Sequence, residues 1–193
     1  MAIRCFVAVN LPPELKGRLA ELEAQLKEAR ADVNWVKPES IHLTLKFLGE
    51  VEEERIPQIK RAIQEGSEGA GPLMLSLAGM GAFPHLRSPR VIWVGVGGEQ
   101  ERLCELQERL ERAMERIGFP REGRPFSPHI TLGRMRSGRG SPALMDLVSR
   151  KADLKVGTVR AESIELMQSR LHPAGASYSV IESFPLMAPS GGS

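Results

Sequence analysis

Hydrophobic residues recur along the chain with two different periods. Leu15, Leu19, Leu22 and Leu26 are three or four residues apart, which predicts a helix over 13–31 with one buried face. Apolar or alternating runs bounded by Gly and Pro predict strands over 3–9, 33–36, 41–48, 73–83, 90–96, 129–134, 156–171 and 177–184. Further helices are predicted over 52–65, 99–117 and 141–151. Because helices and strands interleave over short loops, the pattern predicts a layered α+β or α/β fold.

Length and charge narrow this interpretation. The 193 residues suit one domain, which we expect over 1–187, followed by a disordered tail over 188–193. The net charge of +2 excludes a strong attraction of the whole protein to nucleic acid and still allows a local basic groove. The sequence lacks a signal-peptide pattern and any run of transmembrane length, so we expect a cytoplasmic protein without a membrane partner.

One short motif occurs twice. His42-Leu43-Thr44-Leu45 and His129-Ile130-Thr131-Leu132 share their pattern of residue types, and each lies in a predicted strand. The chain has four histidines and three threonines. Finding a threonine two residues after two of these histidines has a chance probability of roughly one in several hundred, which is low even for short motifs.

Alternation along a strand assigns the motif residues to faces. The polar residues of the first motif strand are expected on one face: His42, Thr44 and Lys46. The apolar residues are expected to be buried on the other: Ile41, Leu43, Leu45 and Phe47. His129 and Thr131 repeat the arrangement, so two imidazoles and two hydroxyls could face each other across the fold.

Such a set suits acid–base chemistry on an anion. Two imidazoles near neutral pH can take one proton and give another, while Thr44 and Thr131 can donate hydrogen bonds to a bound phosphate. Lys46 or Arg134 could neutralise the charge that develops in phosphoryl transfer. A two-histidine metal site is the nearest rival. Neither motif has HExxH spacing or a nearby set of carboxylate ligands, so we expect no metal and no cofactor.

Longer blocks around the motifs extend the pattern. They cover residues 4–12, 35–49, 126–134 and 178–186. Together they resemble the two-histidine (2H) phosphoesterase superfamily, and within it the RNA 2′,3′-cyclic phosphodiesterases, historically called 2′-5′ RNA ligases. The resemblance extends over nearly the whole chain.

The resemblance implies a bilobal α+β fold. Two mainly antiparallel sheets would be related by pseudo-twofold symmetry, with helices on the outer faces and the motifs lining a central cleft. It also implies metal-independent opening of a 2′,3′-cyclic phosphate at an RNA 3′ end or on a nucleotide, leaving a 2′-phosphate. His42 would be the proton donor and His129 the proton acceptor. The order rests on the resemblance, because the two motifs by themselves are near copies. We expect a monomer.

Two alternatives from other classes stay open. A non-catalytic RNA- or nucleotide-binding module could keep the same cleft, and binding without turnover would identify it. A ligase that joins tRNA halves through 2′-5′ linkages would use related chemistry in reverse, and product analysis would identify it. The physiological RNA and any base preference are not determined by the sequence.

Overall fold

In a computed structural model that describes residues 1–191, the chain forms two antiparallel sheets and four α-helices. The strands are β1 Ala2–Asn10, β2 Val33–Trp35, β3 His42–Glu52, β4 Leu73–Phe83, β5 Val91–Gly98, β6 His129–Met135, β7 Lys155–Ala161, β8 Ser163–His172 and β9 Gly175–Pro185. The helices are α1 Pro13–Lys27, α2 Ile56–Ser67, α3 Gln100–Arg116 and α4 Ser141–Ser149. Short 3₁₀ turns, Pro38–Ser40 and Glu53–Arg55, precede β3 and α2.

The two sheets have matching strand orders. The first sheet is β3-β1-β8-β9 and the second is β2-β6-β5-β4-β7, with every neighbouring pair antiparallel. Leaving out the short β2, each sheet consists of a motif strand, a central strand, a third strand and an edge strand. The strand β3 therefore corresponds to β6, and β1 corresponds to β5. This correspondence agrees with the pseudo-twofold symmetry that the family resemblance implies.

The helices connect the two halves. Helix α1 follows β1 of the first sheet and packs against β7 of the second, whereas α3 follows β5 of the second sheet and packs against β3 of the first. Helices α2 and α3 also pack together, and α4 packs on β4. One continuous set of buried apolar residues, from Val7 in β1 to Val94 in β5, extends through both sheets. Burial of this shared core is the main force that holds the two motif strands at a fixed distance.

The predicted strand over 156–171 is wrong in one respect. The structure divides it at Glu162 into β7 and β8, and these two strands belong to different sheets. A continuous run of strand-forming residues does not indicate where the chain leaves one sheet for the other, because each part is locally extended and half buried.

The predicted end of the first motif strand at Gly49 is also wrong. Strand β3 continues to Glu52, and the pairing with β1 shifts by one residue where Gly49 pairs with Cys5 and Phe47 pairs with Phe6. Gly49 has φ +72°, a backbone conformation that glycine adopts at low cost. The glycine therefore marks a bulge rather than a terminus.

The C-terminal residues leave the sheets after β9. The amide of Gly71 donates to the carbonyl of Met187, and Ala188 and Pro189 lie against the loop 69–72. Residues 188–191 form no helix or strand, and 192–193 lie outside the described residues. The predicted disorder of the tail stays a prediction. Within the described part of the chain, no helix is long and apolar enough to cross a membrane.

The packing of β2 against β6 yields a test of stability. A Cβ at Gly133 would lie 2.6 Å from Val33 Cγ1 and 3.0 Å from Trp35 Cε3. Gly133→Ala should therefore lower the free energy of unfolding by about 1–3 kcal/mol, the usual cost of overpacking. Chemical denaturation measures this change. The matched control is Gly138→Ala, where a Cβ would meet open space; equal stability of the two variants would contradict the tight packing of β2.

Candidate active site

Each motif histidine is the first residue of its strand, and one short hydrogen bond holds its ring. His42 Nδ1 lies 2.7 Å from the carbonyl oxygen of Ser40, and His129 Nδ1 lies 2.7 Å from that of Ser127. A backbone carbonyl can only accept, so Nδ1 carries the bonding proton in both rings. The nitrogen that gains or loses a proton is therefore Nε2, on the far side of each ring.

Both motif strands carry a bulge directly after the threonine. Thr44 pairs with Ala8 and Lys46 with Val7, so Leu45 is the extra residue. Thr131 pairs with Trp93 and Gly133 with Ile92, so Leu132 is the extra residue in the second strand. A bulge reverses the alternation of faces beyond it. The duplicated motif therefore includes a duplicated backbone irregularity.

The bulge corrects the predicted face of Lys46 and Phe47. Directly opposed residues of an antiparallel pair share a face. Lys46 opposes Val7 of the buried core and is itself buried, whereas Phe47 opposes Phe6 and is 54% exposed. Lys46 is therefore turned away from the face of His42 and Thr44 toward the core, although it still borders the cleft, and Phe47 is not buried against the core. The prediction of alternating faces fails beyond Leu45, because no residue type in this strand marks the position of the bulge.

The ammonium of Lys46 already has two partners. Its Nζ lies 2.9 Å from Glu111 Oε2 and 2.6 Å from the carbonyl oxygen of Pro120. Direct contact of Lys46 with a phosphate stays a prediction, and it would compete with both bonds. Arg134 lies two residues after the bulge at Leu132, at the position equivalent to Phe47 in the first motif strand. Its side chain is exposed and lines the cleft.

A cleft of about 1010 Å³ brings the two motifs together. His42, Thr44, His129 and Thr131 all line it. The two threonines are half-buried, with their neighbours Leu43 and Ile130 turned into the core. The structure thus brings the motif histidines and threonines together in one cavity, an arrangement that the alternating pattern allows.

Aromatic rings pack on His42 from two sides. The Phe6 ring stacks on the imidazole with centroids 4.7 Å apart, and Tyr178 meets it edge-on at 5.2 Å. His129 has one aromatic neighbour, Phe83, edge-on at 4.9 Å. The two imidazoles therefore lie in different environments although their hydrogen bonds match.

This enclosure lowers the pKa of His42. Burial is the main cause, because removing water disfavours the imidazolium. The hydrogen bond to the Ser40 carbonyl opposes the effect, and the positive charge of Lys16 adds to it. In the free protein the neutral form of His42 is therefore favoured more than in an ordinary histidine.

Several arginines contribute to the rim of the cleft. Arg4, Arg124 and Arg134 line it. Arg121 lies there as well, with its guanidinium 2.6 Å from both carboxylate oxygens of Glu108. Glu108 and Glu122 line the cleft as well, so carboxylates partly balance the positive side chains at its rim.

The sequence interpretation missed the aromatic residues Phe6, Phe83 and Tyr178. Phe6 lies in a strand with consecutive apolar residues on both faces, so periodicity does not reveal which of them faces the cleft. Tyr178 is the only tyrosine of the chain and belongs to the block 178–186, a weak indication of its position. Within residues 1–191, no group of three or more His, Cys, Asp or Glu side chains is placed to hold a metal ion.

Comparison with known proteins gives consistent results. A family model described as LigT like phosphoesterase matches residues 9–93 and 94–178, so that each match contains one motif. The chain is 36% identical to a protein of Methanothermobacter thermautotrophicus named RNA 2′,3′-cyclic phosphodiesterase, over 96% of this chain and 100% of that protein. These matches confirm the family that the motif blocks resemble.

Solved structures are similar over the same length. The crystal structure of a Thermus thermophilus protein is 30% identical with a TM-score of 0.81, covering 96% of this chain and 99% of that one. Escherichia coli LigT complexed with 3′-AMP is 26% identical with a TM-score of 0.79 and the same coverage. The latter protein has also been crystallised with ATP and with NADP⁺. The predicted α+β fold with two antiparallel sheets is confirmed.

The enclosure of His42 leads to a prediction for its titration. Phe6→Ala should raise the pKa of His42, because a hydrated imidazolium is more stable than one covered by a phenyl ring. The pKa can be followed by NMR titration of the His42 Cε1 proton. Phe83→Ala is the matched control, since Phe83 contacts the other histidine. A His42 pKa that stays the same or falls in Phe6→Ala would contradict desolvation as the cause.

Proposed function

Because the chain belongs to the LigT-like phosphoesterases, we propose that it hydrolyses 2′,3′-cyclic phosphodiester ends of RNA or nucleotides to 2′-phosphomonoesters, without a metal ion. The observation that supports this most directly is the pair of matching hydrogen bonds at His42 and His129. They leave the Nε2 atoms of both rings without this bond, in two residues that line one cleft together with Thr44 and Thr131. Such a pair can supply both proton transfers of a phosphodiester hydrolysis.

In the proposed reaction the two histidines have different roles. His129 Nε2 accepts a proton from a water molecule, whose oxygen attacks the phosphorus. As the new P–O bond forms, the bond from phosphorus to the 3′ oxygen breaks, and His42 Nε2 donates its proton to that oxygen. The product is a 2′-phosphate with a free 3′-hydroxyl. Proton exchange with solvent then returns both imidazoles to their starting states.

The lowered pKa of His42 opposes the protonated starting state that a proton donor needs. The negative charge of a bound phosphodiester would offset this effect, because it favours the imidazolium that burial disfavours. Hydroxyl groups of Thr44 and Thr131 would donate to the non-bridging oxygens, and Arg134 would add positive charge at the rim. We expect the protein to act as a cytoplasmic monomer on RNA 3′ ends.

The activity itself is tested with nucleoside 2′,3′-cyclic phosphates, in the presence and absence of a chelator. The expected product is the 2′-monophosphate, at an equal rate under both conditions. A 3′-monophosphate would place the leaving group at the wrong oxygen. Loss of rate on chelation, restored by a divalent ion, would support a metal site instead.

The same assay separates the alternatives from other classes. Binding of the cyclic phosphate without turnover would indicate a non-catalytic module. Joining of tRNA halves carrying the appropriate ends, at a rate above their hydrolysis, would indicate a ligase. Either outcome would replace the proposed hydrolysis.

Substitutions in the motifs should give graded losses. His42→Ala and His129→Ala should each lower kcat by about 10²–10⁴-fold, the usual contribution of a general acid or base. Thr44→Val and Thr131→Val remove one neutral hydrogen bond each, worth roughly 0.5–1.5 kcal/mol, so a loss near tenfold is expected.

Melting curves provide the control for these four variants, since unchanged transitions separate lost chemistry from lost structure. Wild-type rates for both histidine variants would refute the acid–base assignment. Threonine variants that bind inorganic phosphate as tightly as the wild type would remove the hydroxyls from the proposed anion site.

A further inference from the structure

We propose that Lys46, Glu111 and Gln107 form a positioning network for the first motif. The network holds the bulge at Leu45 in place and thereby keeps His42 and Thr44 on the cleft face. This inference concerns the site of the proposed phosphodiesterase and rests on that function. It assigns Lys46 a role through the backbone rather than at the phosphate.

The first observation is a buried ion pair. Lys46 Nζ lies 2.9 Å from Glu111 Oε2, and the two side chains are only 2% and 4% exposed. The same ammonium donates to the carbonyl oxygen of Pro120 at 2.6 Å. Strand β3 is thus tied both to helix α3 and to the start of the segment 120–128. That segment carries Arg124 on the cleft rim and ends next to His129.

The second observation concerns the bulge itself. Gln107 Nε2 donates to the carbonyl oxygen of Leu45 at 3.2 Å and to Glu111 Oε1 at 3.1 Å. Gln107 and Glu111 are four residues apart, so they lie on one face of α3. Leu45 is the residue that the ladder with β1 leaves without an opposed partner. A buried carbonyl outside the ladder needs a donor, and α3 supplies it.

In the second motif a different donor binds the carbonyl of the bulge residue. The carbonyl of Leu132, the equivalent bulge residue, accepts from the backbone amide of Val36 at 2.8 Å. The position after it is Gly133, where the first motif has Lys46. The side-chain network therefore belongs to the half that contains His42, and the duplicated motif does not predict it.

The buried charges of Lys46 and Glu111 are explained better by a role in fixing the backbone geometry than by a contribution to protein stability. A buried ion pair is often no more stabilising than apolar side chains of the same size, since both ions lose their hydration. Its directed bonds can nevertheless select one backbone arrangement. A shift of the bulge by one residue would turn Thr44 away from the cleft, because successive side chains of a strand point to opposite faces.

The test compares variants that remove the network in different ways. Lys46→Met/Glu111→Leu replaces the ion pair with apolar side chains, and Gln107→Met removes the bond to Leu45 while it leaves the ion pair in place. Both should keep a cooperative melting transition and lose about 10–100-fold in kcat, the size of effect that a misplacement near 1 Å can cause. KM should rise and inhibition by inorganic phosphate should weaken by no more than in Thr44→Val, because Thr44 is the phosphate donor that the network positions.

Glu111→Gln separates positioning from phosphate binding. It leaves the ammonium of Lys46 without its carboxylate partner. A positioning role predicts a lower kcat together with weaker inhibition by phosphate, the loss being no larger than in Thr44→Val. If Lys46 were a phosphate ligand, Glu111→Gln would keep or strengthen that inhibition, and Lys46→Met would weaken it with kcat retained; that result would overturn the proposal.

The control variant is Asp146→Asn, which removes the exposed ion pair between Asp146 on α4 and Arg150, the residue that follows this helix. It should leave the rate and the spectra unchanged. The NMR signal of His42 provides a readout that needs no turnover: it should shift in Gln107→Met and not in Asp146→Asn. Folded variants with wild-type kcat and an unmoved His42 signal would overturn the network. A wild-type protein without turnover, but with the expected shift in Gln107→Met, would refute the proposed function alone.

Discussion

The hydrogen bond from each motif histidine to the carbonyl two residues before it is the interaction on which the site depends. It fixes the ring orientation and assigns the titrating proton to Nε2. The bond is local, because the chain enters the strand immediately before the histidine. The same bond occurs in both related sheets, and the shared apolar core then holds the two motif histidines on one cleft.

Equivalent bonds do not make the two halves equivalent. His42 is covered by Phe6 and Tyr178, and burial lowers its pKa, whereas His129 has Phe83 as its aromatic neighbour. The aromatic cover favours the neutral form of His42 in the free protein, so the imidazolium form depends on a negative charge bound in the cleft.

The bulges after Thr44 and Thr131 determine which side chains of the two motif strands face the cleft. They let each strand turn histidine and threonine to the cleft before the bulge and place the residue two positions beyond it on the exposed side. That residue is Phe47 in one half and Arg134 in the other, so the two rims differ in chemistry. The equivalent position after the two bulges is thus an apolar side chain in the first motif strand and a cation in the second.

The amino-acid pattern was enough to predict the two motifs, most of the helices and strands, and the face on which His42, Thr44, His129 and Thr131 lie. These features follow from the local spacing of hydrophobic residues, because each helix and strand buries one face against the core. Three others arise only in the folded chain: the division of 156–171 between two sheets, the faces of Lys46 and Phe47, and the rings that enclose His42. Each of these features depends on a shift in strand pairing or on contacts between residues distant in the chain. Such shifts and contacts produce no periodic pattern in the sequence.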